Sequence, residues 1–534
     1  MWQRFVILQG VLLLVVSLAD GADGLLHVEV QDERTRETLP ARIYVQGEGG
    51  RYFLAEAERG VVTYRIRRGS SQEQHSCVLG KARFRLPAGE YTITVVRGKE
   101  YIPVSRRVRV APGRTHRLEV RVQRWAHMAA SGWLSADTHV HRSPAELAVV
   151  QCAEDLNVTF PLSYWVHDSN EAPLEPRLAP HGDQVLLRFH SHASACGPYL
   201  CYTQNTEYEI TSIAGRRHVL GAFFVLAHRR PFHHTVPPVS AVFREAHAQG
   251  ALIDLDKHNW PWSPALAALG ADLYELANNH MWRTTFHFRR FGLRPPAHWQ
   301  IETDDTGGLT ERGWIEFTHR MYWALLNVGL RLKPTAGTAS GVHPVPLGFG
   351  RVYAKVGQRK DLEGFLEALR AGRSFVTTGP LMEVTVGGQE PGSSVELEGP
   401  ADVPVGVRIA ALNPIRSVEV IQNGKVVAAK AEANTEQGAV HRVEAVVRVH
   451  VAAGGWIAVR AFTDLGGGRI RFAHSGPVYV TVQGRRAEPD ARDVDYLIAV
   501  VREELARSGE LLSPDAIAEY RKALRYYQSW APGP

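Results

Sequence analysis

The string Asp137-Thr138-His139-Val140-His141 is the stretch of this chain best equipped for chemistry. In an extended strand, side chains at i and i+2 share a face, so His139 and His141 can present two imidazoles to one divalent cation. Two imidazoles are half a site, because a catalytic metal takes three or more protein ligands and keeps a position open. In a sequence with 24 histidines a lone His-x-His is ordinarily a surface or core feature. Here it has company: Asn205 to Glu209, Arg216 to Gly221, Leu252 to His258 and Ala336 to His343 each carry a carboxylate or imidazole beside a short apolar run. Strand ends are where an α/β barrel gathers its reactive groups.

The elements that must position these residues follow from the pattern of the chain. Residues 25–124 alternate short runs of period two, such as Leu26 to Val30 and Tyr91 to Val95, with turns such as Pro87 to Glu90, and read as a β-sandwich. Residues 125–380 alternate strand and helix signals. Ser240 is placed to cap a helix ended by Gly250, Thr310 to cap one carrying Trp314, Phe317, Met321 and Leu325, and Asp361 to open one that stops at Gly372. From 381 to 486 the period of two returns, with Asn423-Gly424 as a hairpin turn, and a second β-sandwich is expected. Residues 487–534 read as a helical pair, opened by Asp490 or Asp493 and by Ser513-Pro514.

The order of these segments resembles the PHP (polymerase and histidinol phosphatase) metal-dependent hydrolases, and within them the CehA/McbA type. The residues that carry the likeness are Gly132-Trp133 ahead of Asp137 to His141, Ala153 to Val158, Glu207 with His218, His258 in its strand-end setting, and Gly372 to Pro380. The resemblance implies an α/β domain closing into a distorted (β/α) barrel, with the two β-sandwiches and the helical pair around it. It implies a site of one or two divalent ions, zinc, manganese or iron, on His139, His141, Glu207, His218, His258 and His343. Glu209 is assigned as the group that takes up a proton, and Asp137 joins it in the catalytic set as a strand-end partner of the site rather than a metal ligand. The chain departs from the family where a Thr-Asp-His string is usual: Phe160 to Trp165 offers no ligand, and Gly337 to His343 replaces a usual Asp-x-His. The full three-metal set of the family is therefore not expected.

Composition narrows the function classes. Hydrophobic residues make up 45% and charged residues 22%, ordinary values for a folded chain, and the net charge of +6 is spread rather than clustered. No basic face interleaved with stacking aromatics stands out, so nucleic acid is not an expected partner. Residues 1–20 combine Arg4, an apolar run from Phe5 to Leu18 and small residues at Ser17 and Ala19, the pattern of a signal peptide. No other segment is apolar enough to span a bilayer, so a periplasmic or secreted protein without a membrane span in its mature form is expected. Of the four cysteines, Cys196 and Cys201 either close a small disulfide loop or stay as buried thiols. His190-Ser191-His192 reads as a loop, and His228, His233 and His234 as a solvated cluster. Trp165, Trp260, Trp262 and the amides of Asn278 and Asn279 supply an aromatic, amide-rich rim for a small-molecule or polymer substrate. The expected function is hydrolysis of a phosphoester, ester, or amide or carbamate bond by a metal-activated water. The competing reading is a degenerate PHP domain that binds a carbohydrate or envelope polymer without turnover.

Overall fold

The computed structural model describes residues 23–178, 184–190, 198–430 and 435–531. The expected signal peptide at 1–20, His192 and Cys196 lie outside the described residues, while Cys201 is buried. The chain is mixed α/β and rich in sheet.

The N-terminal region shows how its alternating sequence is used. Strand Gly24–Asp32 buries every second residue, and Leu26, Val28 and Val30 face inward. This strand belongs to a three-stranded sheet, and Ala41–Gln46 belongs to a second sheet with Val61–Arg68, Ser71–Val78, Gly89–Val96 and Val104–Val110. Residues of both sheets, including Val28, Phe84, Ile43 and Ile93, share one apolar core.

In the central region the strands form no closed barrel among the described residues. They divide between two sheets. One holds Tyr164–Asp168, Thr206–Ile213, Arg216–Leu226, Leu252–Leu255, Leu273–Ala277 and Lys333–Ala336 in that spatial order. The other pairs Trp133–Val140 in parallel with Val158–Pro161 and antiparallel with Arg351–Lys355. That second sheet runs on through Ser374–Thr377 and Arg469–Ser475, so it crosses position 380 into the C-terminal region without a break. Among the described residues, Trp133–Val140 meets the segment that follows Lys333–Ala336 through one isolated bridge, Val140 to Ser340. The gap leaves the strand ends around His139 and His141 lined by both sheets.

Seven helices are described, and their ends explain themselves. Ser143 closes a capping box with Glu146 on α1 (Pro144–Ala153). The N-terminus of α2 (Ser240–Gln249) differs from expectation: Ser240 is its first residue rather than its cap. The amides of Val239 and Ser240 donate instead to the carboxylate of Glu519, at 2.8 and 2.7 Å. A carboxylate suits the positive end of a helix, so the distant chain supplies what a local cap would have. Helix α3 (Ser263–Leu269) begins at Ser263-Pro264. Thr310 and Asp361 do cap α4 (Glu311–Asn327) and α5 (Leu362–Ala371) through the amides of Gly313 and Gly364. Gly250 and Gly372 end their helices in the left-handed conformation that glycine adopts most cheaply. Asp490 caps α6 (Ala491–Ser508) and Ser513 caps α7 (Pro514–Gln528). Val494, Leu497, Val501, Tyr520, Ala523 and Tyr527 join the same core as the central strands. No described helix is long and apolar enough to cross a membrane.

Candidate metal centre

Strand Trp133–Val140 is buried along its whole length, which is why it can carry polar residues only where partners are built for them. Its ladder to Val158–Pro161 slips between Asp137 and Val140. The end is then held from the other side: the Ala339 amide donates to the His139 carbonyl at 2.7 Å, and the His141 amide to the Ser340 carbonyl at 2.9 Å. The segment that does this needs glycine. A Cβ on Gly337 would lie 1.8 Å from Glu275 Oε1 and 2.2 Å from His139 Cβ, and one on Gly341 would lie 2.2 Å from the His141 carbonyl oxygen. Ala339 between them sits at φ +48°, a left-handed conformation that costs a non-glycine residue energy.

The result is a tight constellation. His139 Nε2 and His141 Nε2 are 3.1 Å apart, with Glu207 Oε1 3.8 Å from the first and Glu207 Oε2 3.3 Å from the second. On the other edge of the His139 ring, Nδ1 lies 3.3 Å from Glu275 Oε1 and 3.6 Å from Asp256 Oδ1. His139, His141 and Glu207 form one group able to hold an ion, and His139, Asp256 and Glu275 a second; all five are buried.

The donor atoms fit a cation for two independent reasons. His139 Nδ1, Glu207 Oε2, Asp256 Oδ1 and both oxygens of Glu275 are buried without a hydrogen-bond partner. Such atoms each cost about 1–3 kcal/mol unless something satisfies them. The charge balance agrees: Glu207, Asp256 and Glu275 share a single buried ammonium, Lys257, which pairs with Asp256, while Asp254 and Asp137 add to the crowding at Glu275. Burial, reinforced by Glu209 and Asp256, pushes the Glu207 carboxyl well above the usual range. Burial, reinforced by Asp256 and Asp254, does the same to Glu275. Burial holds His139 well below an ordinary histidine, and His141 is pushed down to about 3 by burial, with Lys257 and His167 adding to it. A neutral imidazole with a lone pair is the form that ligates.

A neutral imidazole has one lone pair, so His139 serves one ion directly. With Nε2 turned to His141 and Glu207, its Nδ1 lies 3.3 and 3.6 Å from the Glu275 and Asp256 carboxylates and is hydrogen-bonded to neither, the position from which a carboxylate orients a ligating histidine's ring. His139, His141 and Glu207 then make a two-histidine, one-carboxylate set, which in catalytic zinc sites leaves the fourth position open.

The other residues singled out from the sequence are placed as follows. Asp137 accepts from the amides of His139, Thr338 and Gly348 at 3.2, 3.1 and 2.9 Å and from the Thr338 hydroxyl at 2.5 Å. Its oxygens are thus occupied in bracing the strand end, while burial pushes its carboxyl up to about 6. Glu209 stands two residues beyond Glu207, with Oε2 3.6 Å from His167 Nδ1 in a partly exposed setting. Burial and the Asp256 charge raise it, and Lys257 opposes them.

Three expected ligands do not join the donor groups. Glu207 pairs with Phe224 across the ladder, whereas His218 stands six residues back from Phe224, near the Ala214-Gly215 turn, and bonds to Ser508 at 2.8 Å. Six residues of strand span about 20 Å, far beyond any shared coordination sphere. His258 is turned beneath α4: Nδ1 meets the Thr318 hydroxyl at 2.7 Å and its ring packs edge-on to Trp314 and Phe317. His343 is nearer the cluster, but Trp282 Nε1 and Arg68 each lie 3.1 Å from one of its ring nitrogens, so both nitrogens face N–H donors and neither is turned to a metal position. The residues that take their place are Asp256 and Glu275, with Asp254 beneath them bonded to Thr335 at 2.8 Å. Of the aromatic rim, Trp165 packs against the His141 ring at 4.3 Å; Phe224, which is not one of the expected rim residues, packs against His139 at 4.4 Å.

No protein-family model matches the chain, and no curated protein matches it. Among solved structures it is similar to a two-domain protein from Bacteroides vulgatus described as containing a predicted PHP-like metal-dependent phosphoesterase. The identity is 14% and the TM-score 0.28, over 66% of this chain and 95% of that one.

Proposed function

We propose that this protein is a metal-dependent hydrolase whose ion is held by His139, His141 and Glu207. The observation that carries the reading is the convergence of the His139, His141 and Glu207 donor atoms at one buried strand end, where Glu207 Oε2 has no hydrogen-bond partner. When bound there, a zinc, manganese or iron ion supplies Lewis acidity and makes water nucleophilic near neutral pH. Glu275 and Asp256 lie beside Nδ1 of His139, placed to orient its ring once the ion is bound. Glu209, at the edge of the cluster beside His167, takes a proton from the attacking water, and burial raises its affinity for that proton. Lys257, buried beside Asp256, offsets negative charge that develops on the substrate. Trp165 and His167 shape the entrance.

The substrate class remains the one the sequence resemblance implies: a phosphoester, or an ester or carbamate as in the CehA/McbA type, met outside the cytoplasm after export. The experiment is a panel of aryl phosphate, phosphodiester, aryl ester and carbamate substrates assayed with added zinc, manganese or iron. Turnover that requires metal and falls about a hundredfold or more in Glu209→Gln, with metal content retained, supports the assignment. Silence across the panel with metal demonstrably bound, together with measurable glycan binding, replaces it with a non-catalytic binding module.

A further inference from the structure

A second polar site lies where the N-terminal, central and C-terminal regions meet. A cleft of about 470 Å³ is walled there by Arg42 and Lys99 from the first, Arg351 and Phe349 from the second, and Arg471 from the third. That volume falls within the range of small-ligand sites. With Arg283, five cationic side chains line it against one carboxylate, Glu154.

Two of the cations are neutralised. Arg42 pairs with Glu154, and Arg283 Nε donates to Glu73 at 2.9 Å. Lys99 and Arg351 pair with no carboxylate, and Arg471 only shares one. Lys99 donates to the Thr378 carbonyl at 2.8 Å, and Arg351 to the carbonyls of Gly348 and Glu154 at 2.7 and 3.2 Å. Arg471 donates to the carbonyls of Ile470 and Arg283 at 2.7 and 2.9 Å. Its nearest carboxylate, Glu311 at 3.5 Å, is already held by Arg469 at 2.7 Å. Arg351 is 1% exposed and its Nη1 has no partner at all. Phe349 lies between Lys99 and Arg471, whose charged groups are 5.1 and 4.9 Å from the ring centre. The ring face attracts both cations but cancels neither charge. Burial in the cleft wall and the guanidiniums of Arg351 and Arg471 hold Lys99 well below the usual lysine range. Three cations drawn from three regions, two met only by carbonyls and the third sharing Glu311 with Arg469, are costly unless an anion joins them.

We propose that this cleft is an oxyanion site that binds a phosphate dianion, clamped by Lys99, Arg351 and Arg471. The guanidinium fork matches a tetrahedral oxyanion, and the ammonium adds a point charge. The site is distinct from the candidate metal centre: no residue of the metal-binding groups lines it. The dianion has two sources, free inorganic phosphate and the head of a small phosphomonoester, and both present the same oxygens.

Calorimetric titration of the full chain at matched ionic strength tests this, with inorganic phosphate in one arm and methylphosphonate, a non-hydrolysable ester mimic, in the other. One anion should bind per chain, and Lys99→Gln and Arg471→Gln should each weaken it about tenfold or more. Arg351 is left intact because its Nε holds the carbonyl of Gly348, whose amide braces Asp137. His141→Ala should bind as the unaltered chain does. Tighter phosphate binding assigns the free ion, and tighter methylphosphonate binding assigns an ester. Failure of both anions to bind, affinities unchanged in a folded Lys99→Gln or Arg471→Gln chain, or loss of binding in His141→Ala overturns the proposal. Should Arg471→Gln fail to fold, the half-buried Lys99→Gln decides alone.

Discussion

Replacing Glu275 by glutamine separates a metal centre from an ordinary buried carboxylate by the sign of its effect on stability. Glu275 is fully buried, both its oxygens lack partners, and Asp256, Asp254 and Asp137 crowd it. In the metal-free chain the substitution removes one unsatisfied acceptor, relieves the crowding of carboxyls and adds an N–H donor within reach of the group. At about 1–3 kcal/mol for each unsatisfied buried polar atom, the net gain is about 1–3 kcal/mol. That corresponds to a rise of several degrees in the melting transition of the central region, at roughly 2–4 °C per kcal/mol for a unit of 150–250 residues. Metal binding responds in the opposite direction. Glu275 Oε1 lies 3.3 Å from His139 Nδ1, placed to orient the ring of a metal-bound His139, and loss of such a carboxylate costs about 10–100-fold in affinity. Calorimetric melts of chelated and zinc-loaded protein, with the metal-sensitive transition followed separately, read both effects. A metal-free Glu275→Gln chain less stable than the parent, with metal affinity unchanged, would refute the reasoning: Glu275 would then be a structural carboxylate with satisfied partners.

Three further outcomes follow from particular residues. Gly337→Ala should lose bound metal and cost about 1–3 kcal/mol or more, because its Cβ would fall on Glu275 and His139; metal content and chemical denaturation check it. His218→Ala should leave metal content and turnover unchanged and cost about 1 kcal/mol, the worth of its bond to Ser508; loss of metal would return His218 to the ligand set. His474 is fully buried, accepts from Trp323 Nε1 at 3.0 Å, and is pushed down to about 3 by burial, with Arg460 adding to it against the Ser475 carbonyl. Its folded form therefore binds fewer protons than the unfolded chain between pH 6.5 and 3, so stability falls as pH drops below 6.5. From pH 6.5 to 5 His474 contributes a loss of about 2 kcal/mol, which a His474→Asn chain should not show in acid denaturation.

Part of the site was legible in the sequence because strand geometry is local. His139 and His141 share a face by their spacing, and Glu207 stands on a strand whose alternation is plain; the structure brings these three together. Helix ends were legible for the same reason at Thr310, Asp361 and Ser513. What failed depended on non-local register. His218 follows the tight turn at Ala214-Gly215, and counting back along the hairpin from that turn already puts it beyond reach of Glu207. Asp256 and Glu275 each carried a usable signal, the first as a carboxylate two residues after Asp254 at a strand end, the second as a lone charge inside Leu273–Ala277. A charge in a fully buried strand has to have a partner, and that argument outweighs the preference for histidine that favoured His258. The cap of α2 from Glu519 had no local trace, since its two parts lie far apart in the chain. The continuity of one sheet across position 380 was hidden likewise, because strand partners are not written in alternation.

The most direct test of the metal centre is an anomalous difference map from crystals of protein grown with zinc and manganese, measured at the absorption edge of the metal found. A peak within about 2–2.5 Å of His139 Nε2, His141 Nε2 and a Glu207 oxygen, lost in His141→Ala crystals of the same form, is the result expected. Stoichiometric metal located elsewhere, or no peak with the five buried donors hydrogen-bonded among themselves or to water, would contradict it.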